Sequence, residues 1–164
     1  PPGFAGLAGE VNALFDGESR TWTTRDASTL AAVAPPGPGA GPTPHRLTLL
    51  AFREEVQYFD PDFGREALEI EADFDRAAPG QALAARIDIL DGLEPDAARL
   101  TSRAPGTAQV IVDRIDPVEG DESFGIVAGH FRALVCRAEG PSVPPDPDTC
   151  SPIEGLFEVR VVIE

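Results

Sequence analysis

The sequence predicts an all-β protein, an antiparallel β-sandwich of the jelly-roll or immunoglobulin-like kind with about eight or nine strands. Three observations lead to this class. The 164 residues include 16 glycines and 17 prolines, a content that helices tolerate poorly and turn-rich β folds tolerate well. Short runs with strand character recur between turn signals, and no segment has the periodicity of a long amphipathic helix.

The clearest strand is "LEIEADFD", in which apolar and acidic residues alternate from Leu68 to Asp75. "VNALFDGESRTWTT" reads as a hairpin around Asp16-Gly17. The segment 34–44, rich in proline and glycine, is expected to be a surface loop. Further strands are predicted in "RLTLLAF", "LAARIDIL", "GTAQVIVDRID", "SFGIVAGHFRALVCRA" and "GLFEVRVVIE".

The length predicts one domain, which we place at residues 11–164. Residues 1–10 form an N-terminal extension, because "PPGFAGLAG" is apolar and lacks a strand pattern. We expect it to dock onto its own domain or onto a neighbouring subunit. The chain has no methionine, so we expect a processed chain from which any signal peptide has been removed.

The charge of the chain argues against several classes of partner. The formal net charge is −15, and all 13 basic residues are arginine. Such a field repels phosphate backbones and anionic membrane surfaces, so no nucleic-acid partner is predicted. No apolar run reaches the roughly 18 residues of a transmembrane segment, so none is predicted.

The two cysteines, Cys136 and Cys150, lie at the end of one predicted strand and just before the next. The apolar faces of these two strands point inward, so the strands should pair antiparallel. A disulfide would then close the polar loop between them, a loop of about 15 residues worth about 3 kcal/mol. Such a bridge indicates an oxidising compartment, so the protein is predicted to be secreted, on the cell surface or periplasmic.

A strand that ends in a DG turn with tryptophan after it, "VNALFDGESRTW", resembles the opening of small secreted bacterial proteins and lipoproteins of unknown function. The closing strands "V-x-G-x-F-x-A" from Val127 and "I-x-G-x-F-x-V" from Ile153 are similar to those of the same proteins. The resemblance covers about the first 25 and the last 40 residues. It implies a secreted β-sandwich and no catalytic residue.

Four acidic residues, Glu69, Glu71, Asp73 and Asp75, alternate along one strand and therefore share a face, with neighbours about 6 to 7 Å apart. Two of them could serve as the carboxylate pair of a glycosidase. The plainer interpretation is a solvated sheet face whose carboxylates pair with arginines of a neighbouring strand.

Two Asp-Pro-Asp steps are candidate calcium ligands, namely Asp60, Asp62, Asp146 and Asp148. Calcium binds six to eight oxygens, often from aspartates one or two residues apart on a turn. Asp and Pro also form turns without any ion, and neither step matches the EF-hand pattern. A second acidic connection holds Asp113, Asp116, Glu119 and Asp121. No cofactor other than calcium is indicated.

No catalytic residue is predicted, and the chain is not expected to be an enzyme. The two histidines cannot supply a three-histidine zinc site, and no Gly-x-Ser-x-Gly elbow or phosphate loop is present. His130 should be exposed on its strand, opposite the core face. Trp22 is expected in the core, although a tryptophan could also stack on a sugar ring.

The leading functional hypothesis is a secreted structural protein that forms a homo-oligomer or homopolymer. It would be a subunit of an extracellular filament, sheath or surface layer built by β-strand complementation. The alternative is a monomeric binding module of the periplasm or cell surface, with a concave site for a carbohydrate or another small ligand. A hydrolase that uses the acidic strand is the third possibility.

Overall fold

A computed structural model describes residues 9–24, 28–33, 44–53, 66–92, 94–103, 107–118 and 120–164, without the side chains of residues 121 and 122. Within these ranges the chain forms eleven strands. They are β1 (Glu10–Phe15), β2 (Glu18–Thr24), β3 (Ser28–Ala32), β4 (His45–Arg53), β5 (Ala67–Phe74), β6 (Gly80–Gln81), β7 (Ala84–Leu90), β8 (Arg99–Thr101), β9 (Thr107–Val118), β10 (Asp121–Ala138) and β11 (Ser151–Ile163).

The all-β class is confirmed, and the strands outnumber the predicted eight or nine because β3, β6 and β8 were not predicted from the sequence. β6 and β8 span two and three residues, too short for an alternating pattern to be recognised. The helical structure of the described ranges is one 3-10 turn, Pro147–Thr149. No helix in these ranges has the length and apolar character needed to cross a membrane.

The described strands form one sheet whose hydrogen bonds close into a ring. The ring runs β11, β3, β4, β5, β7, β8, β10 and back to β11. The β1–β2 hairpin makes a second connection, because β1 pairs with β11 and the end of β2 pairs with β4. β9 lies beside β10, and β6 pairs with β9 at two positions.

This topology corrects the prediction of a wholly antiparallel sandwich. β3 runs parallel to β11, where Ser28–Leu30 pairs with Val161–Ile163, so the sheet is mixed. The hydrogen bonds also join the strands into one sheet, whereas a sandwich has two separate sheets packed face to face. Alternation along a strand shows which side chains point inward, but it does not show which strand is the neighbour or in which direction it runs.

One continuous hydrophobic core involves residues from nearly every strand. β1 shows how the sequence builds it, since Val11, Ala13 and Phe15 are buried while the intervening residues are exposed. Trp22 on β2 is completely buried, as predicted for a core residue. Burial of large side chains inside a closed sheet is the main favourable contribution to the stability of such a fold.

The longest antiparallel pairing, between β10 and β11, depends on the two Gly-x-Phe steps of the sequence. They align reciprocally, so that Gly129 lies opposite Phe157 and Phe131 lies opposite Gly155. The ring of Phe157 lies where a side chain on Gly129 would begin, and the backbone of Ile111 on β9 closes the same space. Only glycine fits this position without a shift of its neighbours.

The predicted disulfide between Cys136 and Cys150 is confirmed. It joins the end of β10 to the residue before β11 and closes the proline-rich connection 137–149. Asp146 caps the 3-10 turn in this connection by accepting a hydrogen bond from the backbone N–H of Asp148 at 2.9 Å. Residues 1–8 of the predicted N-terminal extension lie outside the described residues.

We expect reduction of the disulfide to lower the free energy of unfolding by about 3 kcal/mol, because it frees a loop of about 15 residues in the unfolded chain. Urea denaturation with and without reducing agent measures this. The double variant Cys136→Ser/Cys150→Ser should not respond to the reducing agent. An unchanged midpoint for the reduced wild type would contradict the prediction.

We expect Gly129→Ala to lower the free energy of unfolding by about 1–3 kcal/mol, because the new methyl group meets Phe157 and a backbone carbonyl. Gly140→Ala is the matched control. Gly140 is also buried, but a Cβ there would meet its nearest atom, the Asp96 carbonyl oxygen, at an ordinary 3.5 Å. Chemical denaturation should separate the two variants, and equal losses would refute the explanation by crowding.

Candidate functional site

The acidic residues of β5 pair with arginines on both neighbouring strands. Arg46 on β4 donates to Asp73 at 2.7 Å, and Arg86 on β7 donates to Glu69 at 2.7 Å and to Glu71 at 3.3 Å. Asp75 lies beyond the end of β5, with its carboxylate 3.8 Å from the guanidinium of Arg76. The arrangement matches the plainer interpretation of the sequence, a sheet face with cross-strand ion pairs.

The electrostatics of this face agree with a structural role. Burial lowers the pKa of Arg86, but the carboxylates of Asp88, Glu69 and Glu71 more than offset this, so its pKa is raised. The pKa of Arg46 is raised by its hydrogen bond and charge interaction with Asp73. Both guanidinium groups therefore stay charged and hold the carboxylates of β5 in ion pairs.

Asp88 on β7 is the buried end of this network. Its side chain is 1% exposed and contacts Arg86, Arg99 and the hydroxyl of Thr101. A carboxylate removed from water in this way requires such partners, because an unpaired buried charge costs several kcal/mol. Asp88 thus links β7 to β8 in the ring of strands.

The four candidate calcium ligands do not come together in the described structure. Asp146 and Asp148 lie in the disulfide-closed connection, where Asp146 has its capping role. Asp60 and Asp62 lie outside the described residues. Among the described residues, no group of three or more His, Cys, Asp or Glu side chains is arranged to hold a metal ion. Calcium binding stays a prediction.

A different surface has the shape of a binding site. It is the outward face of β2, β1, β11, β10 and β9, on which the structure shows three adjacent depressions of about 750, 610 and 510 Å³. Neighbouring depressions share residues, so together they form one elongated trough along β11. The residues that define the trough are Glu10, Asn12, Leu14, Gln109, Ile111, Asp113, His130, Arg132, Leu134, Glu154, Leu156 and Glu158.

The trough exposes large apolar side chains. Leu156 is 64% exposed, Leu14 is 49% exposed and Leu134 is 37% exposed. Each belongs to a strand whose alternate residues fill the core, so these leucines point away from it. Exposed leucines are common singly, but leucines grouped around a depression are typical of a surface that binds a partner.

Polar groups stand among these leucines. Arg132 on β10 donates from Nε to the side-chain oxygen of Gln109 on β9 at 3.0 Å. This hydrogen bond draws the guanidinium towards β9, although Glu154 lies directly opposite Arg132 on β11. Within the described residues Glu154 makes no ion pair. The trough thus presents an N–H donor group on one side and a carboxylate acceptor on the other.

His130 lies in the trough, on the outward face of β10 as predicted, and contacts a partner that the sequence did not indicate. Its Nδ1 is 2.9 Å from Asp113 Oδ2, a distance at which an Nδ1–H would donate a hydrogen bond to the carboxylate. The contact lies at a β-bulge. Gly129 pairs with Val112 and Ala128 with Arg114, so Asp113 is the extra residue on β9.

A hydrolytic triad at His130 would need a neighbouring hydroxyl. A histidine and a carboxylate need a nucleophile within about 3 Å to act as a hydrolytic triad. Ser19 lines the same trough but lies on β2, three strands from His130, which corresponds to about 14 Å. Among the described residues that line the trough there are leucines and hydrogen-bond donors and acceptors, and none of the hydroxyl groups lies beside this histidine.

The sequence contained a weak signal for this site. Leu14 and Leu156 occupy positions that alternation assigns to the solvent face, where polar residues are expected. Their significance became visible only when β1 and β11 were found side by side. Trp22 is completely buried and therefore cannot stack on a sugar ring. Tyr58 lies outside the described residues.

No protein-family model, no curated protein and no solved structure matches the chain.

We expect Asp88→Ala to lower the free energy of unfolding by about 3–5 kcal/mol, because it leaves Arg86 and Arg99 without their shared buried carboxylate. Asp75→Ala removes an exposed carboxylate just beyond β5 and should leave the denaturation midpoint unchanged. Urea denaturation of both variants tests this. Similar midpoints for the two would show that Asp88 has no special role in the ring.

Proposed function

We propose that this protein is an extracytoplasmic binding module without enzymatic activity, and that the trough is its binding site. The observation that supports the proposal most directly is the grouping of Leu14, Leu134 and Leu156 around adjacent depressions on one face. Exposing these leucines to water is unfavourable, and a ligand that covers them would gain that free energy.

The disulfide supports the location. A bridge between Cys136 and Cys150 persists in oxidising compartments and is rare in the cytosol. A secreted, surface-exposed or periplasmic protein fits this chemistry. The high negative charge is compatible with the same locations, since it keeps a protein of this size soluble.

Assembly by β-strand complementation, the leading hypothesis from the sequence, stays a prediction. Strand addition needs a free edge, and most of the described strands belong to the closed ring. Among the described strands, β9 has the longest stretch with a described neighbour on one side only, and this stretch contains Pro117 together with Asp113, Arg114 and Asp116. Proline and charges on an edge discourage the addition of another strand. The geometry therefore favours the trough as the site of interaction.

The hydrolase hypothesis has less support, because the carboxylates of β5 are engaged by Arg46 and Arg86. A glycosidase needs one carboxyl group that is protonated at working pH and one that is free to attack. Ion pairs with Arg46 and Arg86 instead occupy Glu69, Glu71 and Asp73, so none of these three carboxylates is free to attack a substrate.

The proposal predicts that a ligand binds over Leu156. A panel of short amphipathic peptides, maltohexaose and dodecanoate would be titrated into isotope-labelled protein, with backbone amide chemical shifts as the readout. We expect at least one compound to shift amides of β1, β10 and β11, and Leu156→Glu to weaken that binding at least about tenfold, since it places a charge in the apolar contact.

Leu83→Glu is the matched control, because Leu83 is 71% exposed and lies outside the trough. It should bind as the wild type does. If no compound binds at millimolar concentration, or if binding is unaffected by Leu156→Glu, the trough is not the binding site and the proposal is wrong.

A further inference from the structure

The side chains of the trough stand in rows that cross the strands. One row is Ile111, His130, Leu156 and Asn12, and the next is Gln109, Arg132, Glu154 and Leu14. Successive rows are two residues apart along β11, which corresponds to about 6.6 Å. From Pro152 to Glu158 the trough is about 20 Å long.

An extended polypeptide lying along β11 has the same repeat. Its alternate side chains point to the same side at intervals of about 6.6 Å, so residues i, i+2 and i+4 would meet three successive rows. Its backbone offers N–H and C=O groups in alternation. In the row of Arg132 and Glu154, the guanidinium could donate a hydrogen bond to a backbone C=O, and the carboxylate could accept one from a backbone N–H.

Other elongated ligands match the surface less well. An acyl chain would cover Arg132, Glu154 and Asn12 without giving them hydrogen bonds, which is costly for each polar group that it desolvates. Sugars bind mainly by stacking on aromatic rings, and within the described part of the trough the aromatic side chains, Phe131 and Phe157, are buried beneath it.

One end of the trough is acidic. Glu10 on β1 lies directly opposite Glu158 on β11, and Asp113 lines the same depression. Like charges directly opposite one another destabilise a sheet. Arg114 offsets part of this charge through hydrogen bonds to Asp116 at 2.7 Å and Glu158 at 3.2 Å, whereas Glu10 has no ion pair within the described residues.

A cation is therefore the complementary group at this end. The opposite end is lined by Leu134, Thr107 and Pro152, and among its described lining residues Glu154 is the single acidic one. The charge thus varies along the trough, from an excess of carboxylates at Glu10 and Glu158 to a neutral, apolar end. A bound chain would be oriented by this difference.

We propose that the trough binds an extended polypeptide segment of a partner protein, with a lysine or arginine at the end formed by Glu10 and Glu158 and with apolar residues two and four positions away. The inference rests on the proposed function, since it names the ligand of the same trough. Burial of the apolar residues supplies affinity, and the acidic end sets the orientation.

Two pairs of synthetic peptides test this by fluorescence anisotropy. Each pair contains one sequence in both orders, because the rows of the trough allow a bound chain to run in either direction. The first pair is RTLTVT and TVTLTR, and the second replaces arginine by glutamate, giving ETLTVT and TVTLTE. We expect one arginine peptide to bind at least about tenfold more tightly than its glutamate counterpart, because a carboxylate at the acidic end is repelled. The preference should shrink at high salt.

The variant Glu10→Lys should abolish or reverse this preference, because it removes the carboxylate that makes no ion pair and adds a cation. Glu94→Lys is the control for the change in net charge, since Glu94 is exposed and does not line the trough. It should retain the preference for arginine. Amide chemical shifts would verify that both variants stay folded.

Equal affinity for arginine and glutamate peptides, or an unchanged preference in Glu10→Lys, would overturn the inference. If maltohexaose or dodecanoate binds at Leu156 and no peptide does, the polypeptide ligand is wrong and the binding module stands. If nothing binds at Leu156, the proposed function and the inference both fail.

Discussion

The contact between the ring of Phe157 and the backbone at Gly129 lies at the junction on which the rest of the molecule depends. The absence of a side chain at Gly129 leaves room for this ring, and β10 and β11 form the pair that closes the ring of strands. The disulfide joins Cys136 near the end of β10 to Cys150 just before β11, and so closes the loop 137–149 that connects the two strands. The trough lies on the outer side of the same pair. The pairing of β10 with β11 therefore closes the core, brings the two cysteines together and forms the floor of the candidate site.

The charged residues are used differently on two parts of the surface. On β4, β5 and β7, arginines lie between carboxylates, and the ion pairs extend to the buried Asp88. In the trough, Glu10 and Glu154 make no ion pair within the described residues, and Arg132 contacts a neutral amide. The first arrangement satisfies its own charges and stabilises the sheet. The second leaves charge available to a ligand, as the proposed binding role requires.

The bulge in β9 connects the fold to the chemistry of the trough. Asp113, the extra residue between Val112 and Arg114, has its carboxylate 2.9 Å from Nδ1 of His130. Bulges are common beside functional sites because they change the direction of side chains and bend the strand locally. Here the bulge lies where Gly129 allows β9 and β11 to approach β10 from both sides. The same glycine thus serves core packing and the geometry of the trough.

The sequence by itself determined the all-β class, the inward faces of the main strands and the disulfide between Cys136 and Cys150. Each of these follows from local information: residue alternation, glycine and proline content, or two cysteines that flank one loop. Tertiary structure decided the ring of strands, the parallel pairing of β3 with β11 and the meeting of Leu14, Leu134 and Leu156 in one trough. These features depend on which strands become neighbours across long stretches of chain. Alternation gives the direction of each side chain but not the identity of its neighbour, and for that physical reason the site could not be located before the fold was known.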